Sequence, residues 1–305
     1  MRRVGLIYDD IYLKHEMPAG HPESKLRLIS ILEALKSSPY WNYIHCLKPR
    51  KAGLDEIATV HKKSYIERMR DFGTGYFDPD TYVSEHTLEA AFFAAGAVVE
   101  AVERCRSGEL ERAFCAVRPP GHHAEADRAM GFCVFNNVAV GARHAQKIGY
   151  EKIFIVDFDV HHGNGTQHMF EEDDSVFYFS THQYPHYPGT GSGSEKGRGK
   201  GLGYTYNVPM GHGAGDNEFE DIYNRTLPAL IKKFSPDMVM VSSGYDIHRR
   251  DPLSGLSVSN EGIRSIVRGI LSSADVPFVF TLEGGYDLTA LAESVRITVG
   301  ELLGA

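Results

Sequence analysis

The sequence predicts an α/β fold, a mostly parallel central sheet flanked by helices on both faces. Three observations predict it. Short apolar runs rich in Val, Ile and Phe recur along the chain, among them "KIFIVDFD", "DMVMVSSG" and "PFVFTLEGG", and such runs read as strands buried on both faces. Segments with helical apolar spacing lie between them, and this alternation belongs to parallel sheets joined by right-handed crossovers. Polar clusters follow several of the strands, after Val117, Val156, Val241 and Leu282, and ligands of such sheets bind at the carboxyl ends of strands.

In chain order, "RRVGLIYDD" reads as the first strand. "PESKLRLISILEALKSS" reads as a helix with Leu28, Ile31, Leu32 and Leu35 on one face. "TLEAAFFAAGAVVEAVERC" is a long Ala-rich helix, "RAFCAV" a strand, and "NNVAVGARHAQKIG" a helix ended by Gly149. "KIFIVDFD" and "SVFYFST" are strands, "FEDIYNRTLPALIKKF" a helix, "DMVMVSSG" a strand and "NEGIRSIVRGILSS" a helix. The strand "PFVFTLEGG" and a helix through Leu302 close the order.

Across the 305 residues no linker marks a boundary, so residues 1–305 are expected to form one domain. Hydrophobic content of 42% with 24% charged residues is ordinary for a globular chain. A net charge of −8 disfavours nucleic acid as a partner and tolerates cationic substrates. Cys46, Cys105, Cys115 and Cys133 form no C-x-x-C pair and are expected to be reduced core thiols. Arg2 and Arg3 precede an apolar run too short for a signal peptide, and no segment reaches the length of a membrane span. A soluble, cytoplasmic protein with no membrane partner is therefore expected. The glycine-rich "GTGSGSEKGRGKGLG" lacks the Ser or Thr of a P-loop and the G-x-G-x-x-G spacing, so it reads as a flexible surface loop.

The polar clusters carry the chemistry. In "KIFIVDFDVHHGNGTQ" the strand period of two points Asp157, Asp159 and His161 the same way. Carboxylates and imidazoles gathered where a buried strand ends are costly to desolvate unless paired, and a metal ion is the usual partner. In "VRPPGHHAE", prolines stiffen the approach to the adjacent His122 and His123. "SSGYDIHRRDPLSG" adds Asp246, His248 and Asp251, and "LEGGYD" adds Tyr286 after two glycines. Asp159, His161 and Asp246 could supply the three protein ligands of a catalytic zinc ion, although such a set also accepts Fe²⁺ or Co²⁺. Two carboxylates cancel the charge of the ion, so its water is acidified less and a separate base becomes useful. His122 and His123 offer that base, and Tyr286 a hydrogen bond to a forming oxyanion. The implied chemistry is metal-assisted amide hydrolysis. His45, His61 and His144 sit in ordinary helix or strand contexts and are assigned no role.

"RPPGHHAE", "GFCVFNNVA", "VDFDVHHGNGTQ", "YPGTGS", "GYDIHRRDPLSG" and "LEGGYD", in this order, resemble the histone deacetylase superfamily, in its class II-like and bacterial amidohydrolase branch. The resemblance spans nearly the whole chain from "GHPESKLR" and implies the arginase/deacetylase fold. It implies that Asp159, His161 and Asp246 are the zinc ligands, His123 the general base, His122 its electrostatic companion and Tyr286 the carbonyl-polarising phenol. Asp157 would orient His122 and, with Asp159, His161 and Ser180, hold a structural K⁺ or Na⁺. Gly131, Phe132 and Tyr187 would line the tunnel for the acyl-lysine stem. Many family members place an aspartate behind the second histidine, where this chain has Asn164; a neutral amide orients the imidazole of His123 without stabilising its protonated form. In polyamine-selective relatives a glutamate occupies the position of Leu253, and the segment from Asp71 to Glu85 has no room for their long insertion. An acylated lysine in a protein or peptide is the expected substrate. A small acylated amine such as an acetylpolyamine, a silent acyl-lysine-binding module and a binuclear manganese hydrolase of the arginase type, using His122, Asp157 and Asp251, are the alternatives.

Overall fold

The computed structural model describes residues 1–304. One eight-stranded sheet organises the chain, with every paired neighbour parallel. Its strands are β1 (Val4–Ile7), β2 (Ile44–Leu47), β5 (Arg112–Cys115), β6 (Ile153–Asp157), β7 (Val176–Gln183), β8 (Thr205–Met210), β9 (Met238–Ser243) and β10 (Phe278–Leu282), in the spatial order β2-β1-β5-β10-β9-β6-β7-β8. A separate antiparallel ribbon pairs β3 (Gly75–Tyr76) with β4 (Tyr82–Val83).

The central strands are buried at every position, including Ile153–Asp157 and Met238–Ser243. This is why they read as continuous apolar runs rather than as an alternation. Helices cover both faces. On one, α4 (Thr87–Arg106) packs along α5 (Asn137–Lys147), and its alanines at 90, 94, 97 and 101 are fully buried, so small side chains bring the helix close to the sheet. On the other, α1 (Leu26–Lys36) lies against α10 (Leu288–Leu303), which also contacts α9 (Asn260–Ser272). Shorter helices complete the shell: α2 (Leu54–Ile57), α3 (Lys63–Asp71), α6 (Asn164–Phe170), α7 (Asp216–Asp221) and α8 (Leu227–Phe234).

The structure departs from the sequence expectation in four places. The helix expected over "FEDIYNRTLPALIKKF" is interrupted by a π turn at Ile222–Thr226 between α7 and α8. Pro228 has no N–H to return to the preceding turn, and the wider turn before it accommodates that loss. The edge strands β2 and β8 lie in segments that carry no buried apolar run; Asn207 and Pro209 interrupt β8, as an edge tolerates. Cys46, expected in the core, is exposed on edge strand β2, whereas Cys105, Cys115 and Cys133 are buried; all four are free thiols. The glycine-rich run is solvent-exposed at Arg198–Lys200, but its first half is pinned rather than free. Glu195 accepts from the N–H groups of Gly191 (3.1 Å) and Ser192 (2.9 Å), and Gln167 Nε2 donates to it at 2.6 Å.

The four clusters follow β5, β10, β9 and β6, which are adjacent in the sheet. Segments ending near residues 115, 282, 243 and 157 therefore deliver their polar residues side by side at the carboxyl edge. Among the described residues no helix is long and apolar enough to cross a membrane.

Candidate active site at the carboxyl ends of the central strands

Asp159, His161 and Asp246 converge where β6 and β9 end. His161 Nδ1 lies 3.1 Å from Asp159 Oδ1 and 3.4 Å from Asp246 Oδ2. Ligands about 2.0 Å from one tetrahedral ion stand about 3.3 Å apart, so the spacing suits a zinc-sized ion. Backbone N–H groups fix both oxygens of Asp159, Oδ2 from Gly284 (2.8 Å) and Oδ1 from His161 (2.9 Å), and one of Asp246, Oδ1 from Val160 (2.9 Å). The second oxygen of Asp246 is buried without a hydrogen-bond partner. Burial and the adjacent Asp159 push the Asp246 carboxyl up to about 7. An orphaned buried oxygen beside a second carboxylate is the environment a cation relieves. The donor set therefore fits a divalent metal.

The dyad sits beside these groups, its rings 4.1 Å apart between centroids. His122 Nδ1–H donates to Asp157 Oδ2 at 3.0 Å, and Tyr178 OH donates to the same oxygen at 3.1 Å. Burial opposes charge on His122, but the carboxylates of Asp157 and Asp159 outweigh it and lift its pKa to about 10. The neighbouring histidine behaves oppositely. Burial, His122 and His161 all hold His123 well below the ordinary histidine range. Its Nδ1 lies 2.8 Å from Asn164 Oδ1, while Asn164 Nδ2 donates to Glu125 Oε1 at 2.5 Å. With the amide nitrogen turned to Glu125, the amide oxygen faces the ring and accepts, so Nδ1 carries the proton and Nε2 remains basic.

Tyr286 hangs from a strap, Glu283–Tyr286, held largely by its backbone. Buried Arg27 of α1 donates from Nε to Gly285 O (2.7 Å) and from Nη2 to Glu283 O (2.5 Å), and its guanidinium lies 5.1 Å from the Tyr286 ring centroid. A Cβ on Gly284 would stand 2.0 Å from Asp246 Oδ2, and Gly285 has φ +119°, so glycine is required at both positions. Burial pushes the phenol far above its ordinary pKa although Arg27 opposes this, and the hydroxyl stays a donor.

A narrow cavity of about 160 Å³ descends to these groups. Gly131, Phe132, Tyr187 and Leu253, expected to form a tunnel, all line it, as do Pro120, His122, His123, His161, Gly284, Tyr286 and Asp80. Phe132 adopts φ 67°, unusual for a side chain of this size, and its ring meets Tyr286 edge-on at 6.1 Å. Tyr187 stands 5.1 Å from His123. Ser180 pairs with Asp157 across β6 and β7 and donates to His182 Nδ1 (2.9 Å), because His182 Nε2–H is committed to Gly191 O. An open groove of about 960 Å³ between α1, α10 and the 248–250 segment is larger, but it gathers no comparable donor set.

Asp157 and Asp251, weighed for a second metal, have their oxygens directed to His122 and to backbone N–H groups respectively. His61 is a satisfied core residue, bonded to Glu125 O and Asn136 N, and His45 is exposed. His144 lies between Glu56 (3.3 Å) and Glu103 (2.9 Å), and Arg50 already pairs with both carboxylates.

Sequence reasoning passed over Asp80, Arg27, Glu283 and the buried Glu23–Arg118 pair. Glu283 Oε2 accepts from the N–H groups of Gly121 (2.7 Å) and His122 (3.2 Å), fixing the dyad loop. Arg118 Nη2 donates to Glu23 Oε2 at 2.8 Å with both side chains fully buried. The available signal was a charged residue at a core-facing position: Arg27 beside Leu28 in α1, and Glu283 directly after a buried strand.

The profile of the histone deacetylase domain matches residues 21–302. Histone deacetylase 5 of Arabidopsis thaliana is 38% identical over 99% of this chain, and the match spans 49% of that protein, so the chain covers about half the length of that relative. A probable deacetylase of Methanothermobacter thermautotrophicus is 41% identical over 90% of this chain and 83% of its own. Among solved structures, the crystal structure of the HDA15 HD domain superposes with TM-score 0.94 at 35% identity, covering 99% of this chain and 88% of that one.

Proposed function

Because the chain belongs to the histone deacetylase family, we propose that it is a zinc-dependent amidohydrolase that removes acetyl or related acyl groups from acylated lysine. Residues 1–305 would be its catalytic domain, and its four free cysteines suit a cytoplasmic setting. The observation that carries the reading is the partnerless Asp246 oxygen, aimed at His161 and Asp159 at the foot of a tunnel whose other walls hold a neutral imidazole and a phenol.

Asp159, His161 and Asp246 would hold the ion, which when bound supplies a Lewis acid for the carbonyl and acidifies water. Phe132 and Tyr187 would flank the acyl-lysine stem. Nε2 of His123 takes the proton of the attacking water, because Asn164 fixes the opposite tautomer and burial keeps the ring neutral. The phenol of Tyr286 donates to the carbonyl oxygen as negative charge gathers there. His122, held protonated by Asp157, stabilises that same charge. The proton on His123 can then pass to the leaving amine. Asp157, Asp159, His161 and Ser180 would hold a structural K⁺ or Na⁺, supported by the register that sets Asp157 across from Ser180.

A free acetylated polyamine is the second reading, and Asp80 favours it. Leu253 offers a cation no charge, but Asp80 places a carboxylate in the same lining, held there by Gly131 N–H at 3.0 Å. Assay of the purified protein on acetyl-lysine peptides, acetylspermidine and acetylputrescine, with metal content measured, decides. Higher kcat/KM on peptides with one transition metal per chain is expected. A polyamine preference shifts the reading to the second substrate, and absence of turnover with full metal leaves the silent binding module.

A further inference from the structure

We propose that Asp251 is a positioning residue that presents the Tyr286 phenol to the tunnel through the backbone, without touching substrate. The inference rests on the reading of Tyr286 as the carbonyl-polarising group. The strap carrying Tyr286 contains two consecutive glycines, and Gly285, in the left-handed region, lies immediately before the tyrosine. Arg27 grips the strap by the carbonyls of Glu283 and Gly285, and Asp159 by the N–H of Gly284. Arg27 therefore already holds the carbonyl end of the peptide plane that joins Gly285 to Tyr286. The carboxylate of Asp251 holds its N–H end and the next one: its Oδ2 accepts from Tyr286 N–H at 2.6 Å and from Asp287 N–H at 3.2 Å. The side chain is buried, which strengthens charge-assisted bonds of this kind.

Capping of α10 does not explain the carboxylate. That helix has its own N-cap, since Asp287 Oδ1 accepts from Ala290 N–H at 2.8 Å. What Asp251 adds is the second anchor of the peptide plane entering Tyr286, at the N–H end opposite Arg27, and with it the direction of the side chain. The other oxygen, Oδ1, accepts from Leu253 N–H at 3.0 Å, and Leu253 O accepts from His186 Nε2–H at 3.1 Å. Leu253 lines the tunnel, and Tyr187, next to His186, forms the facing wall. One carboxylate thus ties the tunnel lining to the residue that must meet the carbonyl at its foot. Catalytic contributions from an oriented donor fall steeply with small displacements.

The test is a double-mutant cycle on the metal-loaded protein with an acetyl-lysine peptide. Asp251→Ala should lower kcat about 10²-fold, within the range for losing one oxyanion donor, with KM changed less than about threefold and metal content unchanged. Asp251→Asn keeps one acceptor oxygen and should lose about tenfold. In a Tyr286→Phe background, either change should cost less than about threefold, because the group it orients is gone. Equal cost in both backgrounds would overturn the proposal, since a merely structural role is indifferent to the phenol. A second readout does not depend on turnover: with 3-fluorotyrosine at position 286, the ¹⁹F resonance should shift or broaden in Asp251→Asn. An unchanged resonance would sink the positioning role even if the protein proves inactive on acetyl-lysine, and a shifted one would sustain it while the functional reading fell. If Asp251→Ala does not fold, Asp251→Asn carries both arms.

Discussion

Replacing Asn164 with aspartate should move the acidic limb of the pH–rate profile to higher pH by about 1 to 2 units. The two histidines of the dyad supply the comparison within one loop. His122 faces a carboxylate at 3.0 Å and is lifted to about 10, whereas His123 faces an amide at 2.8 Å and lies well below the ordinary range. With charge centres about 4 Å apart and an effective dielectric of about 20, a new carboxylate favours the His123 imidazolium by about 4 kcal/mol, or about 3 pK units. Glu125 reduces the gain. Its Oε1 now accepts from the Asn164 amide at 2.5 Å and would instead face a second carboxylate with no proton between them. The sign follows from the mechanism: the neutral imidazole accepts the proton, so a raised pKa depletes the competent form at low pH and the limb rises. The assay is kcat/KM against pH on an acetyl-lysine peptide for the wild type, Asn164→Asp, and Asn164→Asp with Glu125→Gln. Removing the second charge should enlarge the shift. A limb that stays within about 0.3 units in both variants would refute the tautomer and the identity of the base.

Asp246→Asn should remove most bound metal together with activity, because the orphaned anionic oxygen becomes part of a weak neutral ligand; elemental analysis showing full metal and full activity would refute the ligand assignment. Leu253→Glu should shift the kcat/KM ratio towards acetylpolyamines by about 1 to 2 kcal/mol, and equal losses on both substrates would mean that Leu253 only packs its loop. Glu23→Gln strands the buried guanidinium of Arg118 and should cost about 3–5 kcal/mol of stability, read by denaturant unfolding. A cost below about 1 kcal/mol would show that Arg118 finds other partners, such as the carbonyls of Tyr12 and His15 that it already reaches.

What the sequence made legible follows from the physics of each segment. Strands such as Ile153–Asp157 announce themselves because burial on both faces demands unbroken apolar runs, and their polar sequels stand out by contrast. The edge strand Thr205–Met210 is half wet and interrupted by Asn207 and Pro209, so it carries no such signature. Asp159, His161 and Asp246 were readable because carboxylates and an imidazole cluster at the ends of buried strands. Asp80 was not. It reaches the cavity from the turn of a two-stranded ribbon whose placement depends on tertiary contacts, with Gly131 and Phe132 N–H groups anchored on Asp80 and Thr81. Arg27 and Glu283 act on backbone groups distant in sequence, and no local pattern encodes such a partner.

The position of β10 governs how the molecule can be made. Phe278–Leu282 is the last strand in the chain yet pairs with both β5 and β9. Without it, β2-β1-β5 and β9-β6-β7-β8 would share no strand pairing, and β5 and β9 would each present an unpaired edge. The first half carries His122 and His123, the second Asp159, His161 and Asp246, and the missing strand brings Glu283 and Tyr286. A nascent chain stopped short of residue 278 could gather Asp159, His161 and Asp246 while lacking both the seam that joins them to the dyad and the glycine strap whose N–H steadies Asp159. Such a fragment would expose two unpaired sheet edges, the kind of surface that templates aggregation.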